Sequence, residues 1–478
     1  MGKQEKLVKD ITSMEEDFAK WYTDIVKKAQ LMDYSNVRGC MILEPYGFAI
    51  WENIQKILDK KFKGLGHENV AMPLLIPESL LQKEKDHIEG FAPEVAWVTH
   101  AGSEKLQERL CIRPTSETLF CEYFSRKVHS WRDLPKLYNQ WCSVVRWEKT
   151  SRPFLRSVEF HWQEGHTIHE TQEEAQNETM RMFNTYADFC ENELCMPIIK
   201  GRKTDKEKFA GAESTYTIEA MMHDGKILQS GTSHYFGDGF CKAFDITYQD
   251  RDNKPSYPYE TSWGMSTRII GGIIMTHGDN NGLVLPPDIA PIQIIIIPIS
   301  MNKPGVLEKA KEIYNILKEK YRVKLDESNQ TPGWKFSEYE MKGVPIRLEI
   351  GPKDIEKGQC VLVRRDNREK SFAPLDNLDN EIKQVFIKFK ESLYEKALNQ
   401  RNSLMREAKT KDDFRKICSE KHGFIRSMWC GKEKCEEILK EELSVSSRCI
   451  SLLDDKISGK CAVCGEDAKH LVYWGKAY

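Results

Sequence analysis

Three stretches within the first 285 residues concentrate side chains able to do chemistry. They are Arg113-Pro114-Thr115-Ser116-Glu117; Arg146-Trp147-Glu148 with Arg156 and the run Glu159 to His166; and Ser262 to Arg268, followed by Gly271 and Gly272. Arg146 and Glu148 lie two apart, so on a strand they share a face. Arg156, ten residues after Arg146, is expected to return on an antiparallel partner strand after a turn at Pro153. That arrangement brings two guanidinium groups to one concave surface. Guanidinium forks match phosphate oxygens, so the chemistry that needs such a pair is polyphosphate binding. Phe160, alternating with Trp162, offers a flat apolar face for a purine ring or a small apolar side chain. The competing reading is a surface hairpin with solvated charges. Arg113 carries no such argument and is read as structural.

A second constellation lies near the C-terminus. Cys430 and Cys435 are separated by four residues, and Cys461 and Cys464 by two. Two close pairs of thiolates suit tetrahedral zinc, each pair on one turn, with Gly431 and Gly465 permitting tight turns. Four protein ligands leave no position for water, so such a metal is structural. Cys449 lies between the pairs and is surplus. The alternative is four idle thiols.

These groups need elements to position them. The chain has 478 residues, enough for two to four domains. Its 71 Lys and Arg nearly cancel 73 Asp and Glu, which excludes a uniformly basic nucleic-acid coat protein. Apolar residues make up 40% and aromatic ones 10%, too many for a disordered chain. Ala290 to Ile299, the longest apolar run, contains two prolines and is half of the ~20 residues a spanning helix needs. The first six residues mix both signs of charge and lack the pattern of a signal peptide, and Lys6 breaks a myristoylation motif. With no export signal, the fourteen cysteines are expected to be mostly reduced, in the cytosol.

Helical spacing predicts amphipathic helices over Lys3 to Gln30, Phe48 to Phe62 and Glu170 to Leu194; Ile269 to Thr276, small and apolar, reads as a buried helix. Strands are expected at Val70 to Leu75, Leu137 to Trp147, Phe160 to Ile168, Ile227 to Lys242 and Ser256 to Arg268. Pro286-Pro287 breaks the pattern. Beyond it, Ile292 to Ile297 reads as a strand buried on both faces, and strands then alternate with helices as in a small α/β domain with a mixed or parallel sheet. From about Asn402 helices precede the Cys-bearing tail.

Arg146-x-Glu148 with a returning Arg and Phe resembles motif 2 of the class II aminoacyl-tRNA synthetases. Gly264-x-x-x-Arg268 and the small-residue helix after it resemble motif 3, and Gly47 through Pro73 resembles motif 1, the dimer element. Arg-Pro-Thr-Ser-Glu, Trp-Gln-Glu-Gly-His-Thr and Gly-Thr-Ser-His (Gly231 to His234) together resemble prolyl-tRNA synthetase of the archaeal and eukaryotic type. The resemblance covers essentially the whole chain. It implies an α+β catalytic domain on an antiparallel sheet over 1–285, an α/β anticodon-binding domain over 286–400 and a small α/β zinc-containing domain over 401–478. It further implies a cytoplasmic homodimer acting on ATP, L-proline and tRNA(Pro), with Mg²⁺ accompanying ATP and structural Zn²⁺.

By the same resemblance, Thr115 and Glu117 hold the imino nitrogen of proline, whose two N–H donors suit a hydroxyl and a carboxylate. Arg146 bridges the substrate carboxylate and the α-phosphate, Glu148 meets the adenine amino group, and Arg156 and Arg268 clamp the terminal phosphate. Phe160 stacks on the base. Trp162, Glu164, His166 and His234 shape the ring pocket, beside Ser262 and Gly264. Gln229 meets Mg²⁺; Ser157, Thr232 and Ser266 lie on the nucleotide side. Arg347, Glu349, Lys353 and Asp354, around a Gly351-Pro352 turn, are expected to read anticodon guanines; the alternative is a solvated hairpin end. The family directs the carboxylate of the terminal Tyr478 toward the catalytic domain.

The sequence departs from the family at Ser157-Val158, where Thr-Arg is expected, so charge at Val158 is lost. Only about sixty residues separate motif 2 from Gln229. That leaves no room for an editing domain. Two other readings remain: a synthetase of the same subclass for threonine, glycine or histidine, and a catalytically inactive, synthetase-like RNA-binding protein. The first, for threonine, needs Cys and His ligands in the catalytic domain; the second usually lacks motif 2 or 3 arginines.

Overall fold

The computed structural model describes residue 8 and residues 11–83, 95–453 and 457–478. The N-terminal leader and myristoylation readings, and the first part of the helix expected from Lys3, lie outside the described residues. The helix itself is Phe18–Lys28, shorter than expected, because the Asp17 side chain caps the Lys20 N–H and fixes the start there. It buries Trp21, Tyr22, Ile25 and Val26. The next helix, Pro45–Gly64, starts earlier than apolar spacing alone indicates, because Pro45 sits in its first turn, where a missing N–H breaks no helical bond.

The region over residues 1–285 is built on an antiparallel sheet. Its central strands are Lys136–Val145, Glu159–His169, Tyr259–Ser266, Ile227–Gly237, Ser214–Met221 and Ile198–Arg202, paired in that spatial order. Helix Gln172–Asn192 packs across this sheet, with Tyr186 donating to the Gln163 side chain. Helix Arg268–His277 is buried from Ile269 to its end. The strand expected over Val70 to Leu75 does not form. Pairing is confined to Glu68–Asn69 and Leu75–Pro77. Between them, side chains satisfy the backbone: Gln140 Oε1 accepts from Met72 N, and the Arg113 guanidinium donates to the Met72 and Pro73 carbonyls. Arg113 is thus a buried structural clasp.

After Ala290 a five-stranded mixed sheet follows, in which the inner strand Ile294–Pro298 pairs parallel with both the edge strand Val323–Leu325 and the central strand Ile346–Ile350. Gln359–Arg364 and Lys370–Pro374 complete it antiparallel; the last strand was not anticipated. Helix Leu378–Ser403 runs on into the C-terminal region. That region is more than helices and a tail. Its strands continue the catalytic sheet, through Ile450 opposite Arg202 and Ser451 opposite Gly201, giving eleven strands in all. A buried ion triad seals the junction: Lys203 Nζ lies 2.8 Å from Glu219, and Arg448 lies 2.7 Å from the same carboxylate. No helix among the described residues is long and apolar enough to cross a membrane.

Candidate active site

Strand periodicity assembles the site. On Glu159–His169, the residues Phe160, Trp162, Glu164 and His166 alternate onto one face and line a cavity of about 190 Å³. The opposite face is sealed by close contact: a Cβ on Gly165 would lie 2.1 Å from the Trp263 ring, so only glycine fits there. On the neighbouring strand, Ser262, Gly264 and Ser266 share the cavity face, with Arg268 just beyond at the helix start. A bulge between Gln229 and Gly231 shifts the alternation, which places Gln229 beside Thr232 and His234 in the same wall. Thr115, Glu117 and Arg146 close the remaining side.

Two premises of the sequence reading need correction. Arg146 and Glu148 are not on a strand: the strand ends at Val145, and Glu148 N donates to the Arg146 carbonyl in a tight local turn. Nor does Arg156 return on a long partner strand. It closes a small loop by exchanging two backbone hydrogen bonds with Arg152, around Phe154 at φ +58°. Pro153, which has no N–H for a ladder, is the reason pairing gives way to this loop. In consequence Glu148, Arg156 and Ser157 stand outside the cavity wall. Arg156 Nη1 lies 3.3 Å from the Glu148 carboxylate, and Ser157 is buried.

Arg146 donates through Nε to the Pro114 carbonyl at 3.0 Å, and its guanidinium lies 5.3 Å from the Trp162 ring centroid and 5.7 Å from that of Phe160. Arg268 donates to the Leu155 carbonyl at 3.0 Å. Burial, with Arg146 and Arg156 close by, pushes the Arg268 guanidinium down to about 10. Two guanidinium groups lining one cavity are chemically suited to an anion of high charge density. Thr115 donates to the Glu117 carboxylate, which also accepts from Ser262 at 3.3 Å.

Beneath them lies a buried ion pair, His166 Nε2 to Glu164 at 2.9 Å. Glu164 also accepts from Ser116 at 2.5 Å and Gln140 at 2.6 Å, and His166 stacks on Phe120. Burial pushes the Glu164 carboxyl up, but His166, Ser116 and Gln140 together hold it below the ordinary carboxylate value. Burial likewise opposes charge on His166, and Glu164, Glu117 and Glu260 outweigh it, so its value is raised. Both shifts favour the ionised form of the pair. Behind it, burial raises the Glu260 carboxyl to about 7, where Cys121 meets it at 3.3 Å. His234 is pushed to about 3 by burial, then by the charges of His166 and Arg146, and is neutral.

Sequence reading missed Glu207, Phe209 and Thr215, which also line the cavity. Glu207 and Phe209 belong to the connection between strands Ile198–Arg202 and Ser214–Met221, where irregular backbone carries no periodicity to flag them, and Thr215 is the second residue of the latter strand.

Away from the cavity, the four cysteine sulfurs lie within 4.8 Å of one another. Sγ separations are 3.7 Å for Cys430–Cys435, 4.0 Å for Cys435–Cys461 and 3.6 Å for Cys430–Cys464. A tetrahedron with metal–sulfur bonds of about 2.3 Å has edges of about 3.8 Å, so the donor set fits a tetrahedral thiolate-bound metal. Cys449 is buried elsewhere, against Gly201. In the mixed-sheet domain, Arg347 pairs with Glu349 at 2.8 Å and lies over Phe336. The expected Gly351-Pro352 turn is instead a helix start. Pro352–Glu356 is helical, and Asp354 caps it by accepting from Gly351 N; Lys353 is exposed. Tyr478 donates through its hydroxyl to Asp224 at 2.6 Å, and its N–H bonds the Ile227 carbonyl, docking the terminus on the catalytic sheet.

Comparison with known proteins places these features. Residues 97–277 match the class II tRNA synthetase core domain for G, H, P, S and T; residues 293–385 match an anticodon-binding domain. Residues 411–478 match the C-terminal domain of prolyl-tRNA synthetase. The chain is 64% identical to a proline–tRNA ligase of Ruminiclostridium cellulolyticum, over the full length of both. The chain belongs to the class II prolyl-tRNA synthetases. Prolyl-tRNA synthetase relatives also include a proline–tRNA ligase 2 of Bacillus cereus, 64% identical over 98% of this chain and 99% of that one. A proline–tRNA ligase of Clostridium novyi is 62% identical over the full length of both. Among the described residues of this synthetase, the one group of Cys, His and acidic side chains disposed to hold a metal is the C-terminal cysteine set. A threonyl-type metal centre in the catalytic domain therefore has no counterpart among them.

Proposed function

We propose that the chain is a proline–tRNA ligase that forms prolyl-adenylate from L-proline and ATP and then transfers the prolyl group to the 3′-terminal ribose of tRNA(Pro). The observation that carries the reading is the sharing of one cavity by Arg146 and Arg268 with the Thr115–Glu117 pair. In-line displacement at phosphorus needs positioning and charge neutralisation more than an acid–base dyad. Glu117 and Thr115 receive the secondary ammonium, and Arg146 stands between the proline carboxylate and the α-phosphate. Arg268 neutralises the phosphate chain, joined by Arg156 once its partner Glu148 turns to the adenine amino group. Phe160 faces the base, with Thr232, Ser266 and Ser157 on the nucleotide side and Gln229 toward ATP-bound Mg²⁺. Trp162, His166, His234, Ser262 and Gly264 bound the ring pocket.

The finer assignments belong to the same proposal. The domain limits are 285/286 and 400/401, and the family matches fall within them. The chain is of the archaeal and eukaryotic type, works as a cytoplasmic homodimer, and reads the anticodon with Arg347, Glu349, Lys353 and Asp354. Zinc held by Cys430, Cys435, Cys461 and Cys464 supplies a structural cross-link. Cys435 lies in helix Glu433–Leu443, whose Glu436 accepts from Thr204 of the catalytic region at 3.0 Å. Cys435→Ser is therefore expected to remove the metal, measured by elemental analysis of the purified protein, and to lower the melting temperature by about 5 °C or more. Full metal content in that variant contradicts the ligand set.

Proline-dependent ATP–pyrophosphate exchange tests the function. Exchange with proline above threonine, glycine or histidine is expected; its absence contradicts the reading, and preference for another amino acid redirects it. A pocket sized for proline cannot exclude alanine or cysteine by clash, since each missing methylene is worth about 1–3 kcal/mol. Measurable alanyl- or cysteinyl-adenylate is expected, with no hydrolysis of Ala-tRNA by the purified chain.

A further inference from the structure

We propose that Thr215 is a positioning residue that selects which ring nitrogen His234 presents to the cavity and pins the loop that walls it. This rests on the proline-cavity reading above. Thr215 and His234 are direct cross-strand partners. The Thr215 hydroxyl oxygen receives the Phe209 backbone N–H at 3.0 Å and lies 2.9 Å from His234 Nδ1. A hydroxyl has one proton to give. With Phe209 N–H filling one of the two lone pairs, the Thr215 proton finds its acceptor in Nδ1. The imidazole proton therefore sits on Nε2, the nitrogen left for the cavity that His234 lines. The opposite tautomer places two donors on the Thr215 oxygen and leaves its own proton without an acceptor in a site where Thr215 is 2% exposed. Burial keeps the ring neutral, so one tautomer must be chosen.

The same residue holds the loop at its start and at its middle. Its carbonyl accepts from Lys203 N at 2.8 Å, and its side chain holds Phe209, whose ring packs 4.6 Å from that of His234. His234 thus becomes an oriented N–H donor, suited to a substrate carboxylate or acyl oxygen and unsuited to receiving the proline ammonium, which Glu117 and Thr115 already serve.

The test uses the full-length protein. Nitrogen-15 spectra of histidine-labelled enzyme, with the signal assigned by its loss in His234→Asn, are expected to show an unprotonated Nδ1 and a protonated Nε2. Thr215→Val is expected to raise KM for proline about tenfold in pyrophosphate exchange, leave KM for ATP within about twofold, and lose the single-tautomer signature; Thr215→Ser is expected to restore KM for proline and the signature. A protonated Nδ1 in the unchanged enzyme, an unaltered KM in Thr215→Val, or identical behaviour of the Val and Ser variants overturns the proposal. His234→Ala separates the two levels. If it leaves KM for proline unchanged, the cavity assignment fails as well; if it raises KM while Thr215→Val does not, only the role of Thr215 fails.

Discussion

Arg268→Met is expected to reduce proline-dependent ATP–pyrophosphate exchange by about 10³-fold or more, while the variant's melting temperature stays level or rises. The first half follows from losing a preformed donor to a phosphate chain in a partly enclosed site, where each such group is worth about 10²–10³ in rate and a charged one more. The second half follows from the electrostatics of the free enzyme. Burial and the neighbouring Arg146 and Arg156 push the Arg268 guanidinium down to about 10, so the charge is held against its surroundings. Against this its guanidinium gains a hydrogen bond to the Leu155 carbonyl, a neutral acceptor. Methionine keeps the apolar stem and relieves the repulsion. ATP with Mg²⁺ should raise the melting temperature of the unchanged protein and not of the variant. A variant that melts well below the parent, or that exchanges at the parental rate, contradicts the view that Arg268 is held in place for its ligand.

The second large effect concerns the buried Glu164–His166 pair. Glu164→Gln is expected to destabilise the protein by about 3 kcal/mol, because removing one member leaves the other's charge uncompensated at a site with under a tenth of its surface exposed. The pH dependence has a definite sign. His166 has a raised value, so its contribution is complete below the ordinary imidazole value of 6.5 and fades as pH rises through the raised one. Glu164 has a lowered value, so its contribution is complete above the ordinary carboxyl value of 4.5 and fades as pH falls through the lowered one. The pair therefore supports the fold best between about pH 4.5 and 6.5. In the Gln variant, urea unfolding should lose the decline that this pair contributes above that window. Glu260, raised to about 7 on the far side of His166, titrates nearby, and Glu260→Gln provides the control. An equal pH slope in the parent and in Glu164→Gln contradicts an ionised pair.

Alternation in the sequence flagged Phe160 with Trp162, and the family resemblance supplied Glu164, His166, Ser262, Gly264 and Ser266; the two strands then set these residues at every second position on the cavity face. Periodicity also exposed the helix at Gln172–Asn192, and a run of small and apolar residues the one at Arg268–His277. It failed where side chains replace the backbone ladder. Arg113 and Gln140 occupy the Met72–Pro73 backbone, so a β-rich string of residues forms no strand there. It failed again at the tip between the motif 2 strands, where local Arg152–Arg156 bonding wins over long pairing and leaves Arg156 with Glu148 rather than in the cavity. Neither the joining of the C-terminal strands to the catalytic sheet nor the placement of Thr215 against His234 can be read from spacing. Both are contacts between distant segments or paired strands whose register the local pattern does not specify.

A crystal structure of the enzyme with ATP, Mg²⁺ and proline tests the central claim most directly. The guanidinium nitrogens of Arg146 and Arg268 should lie within hydrogen-bonding distance of phosphate oxygens, with the ring nitrogen of proline against Glu117 and Thr115. Nucleotide bound elsewhere, or these arginines turned away from it, would contradict the account.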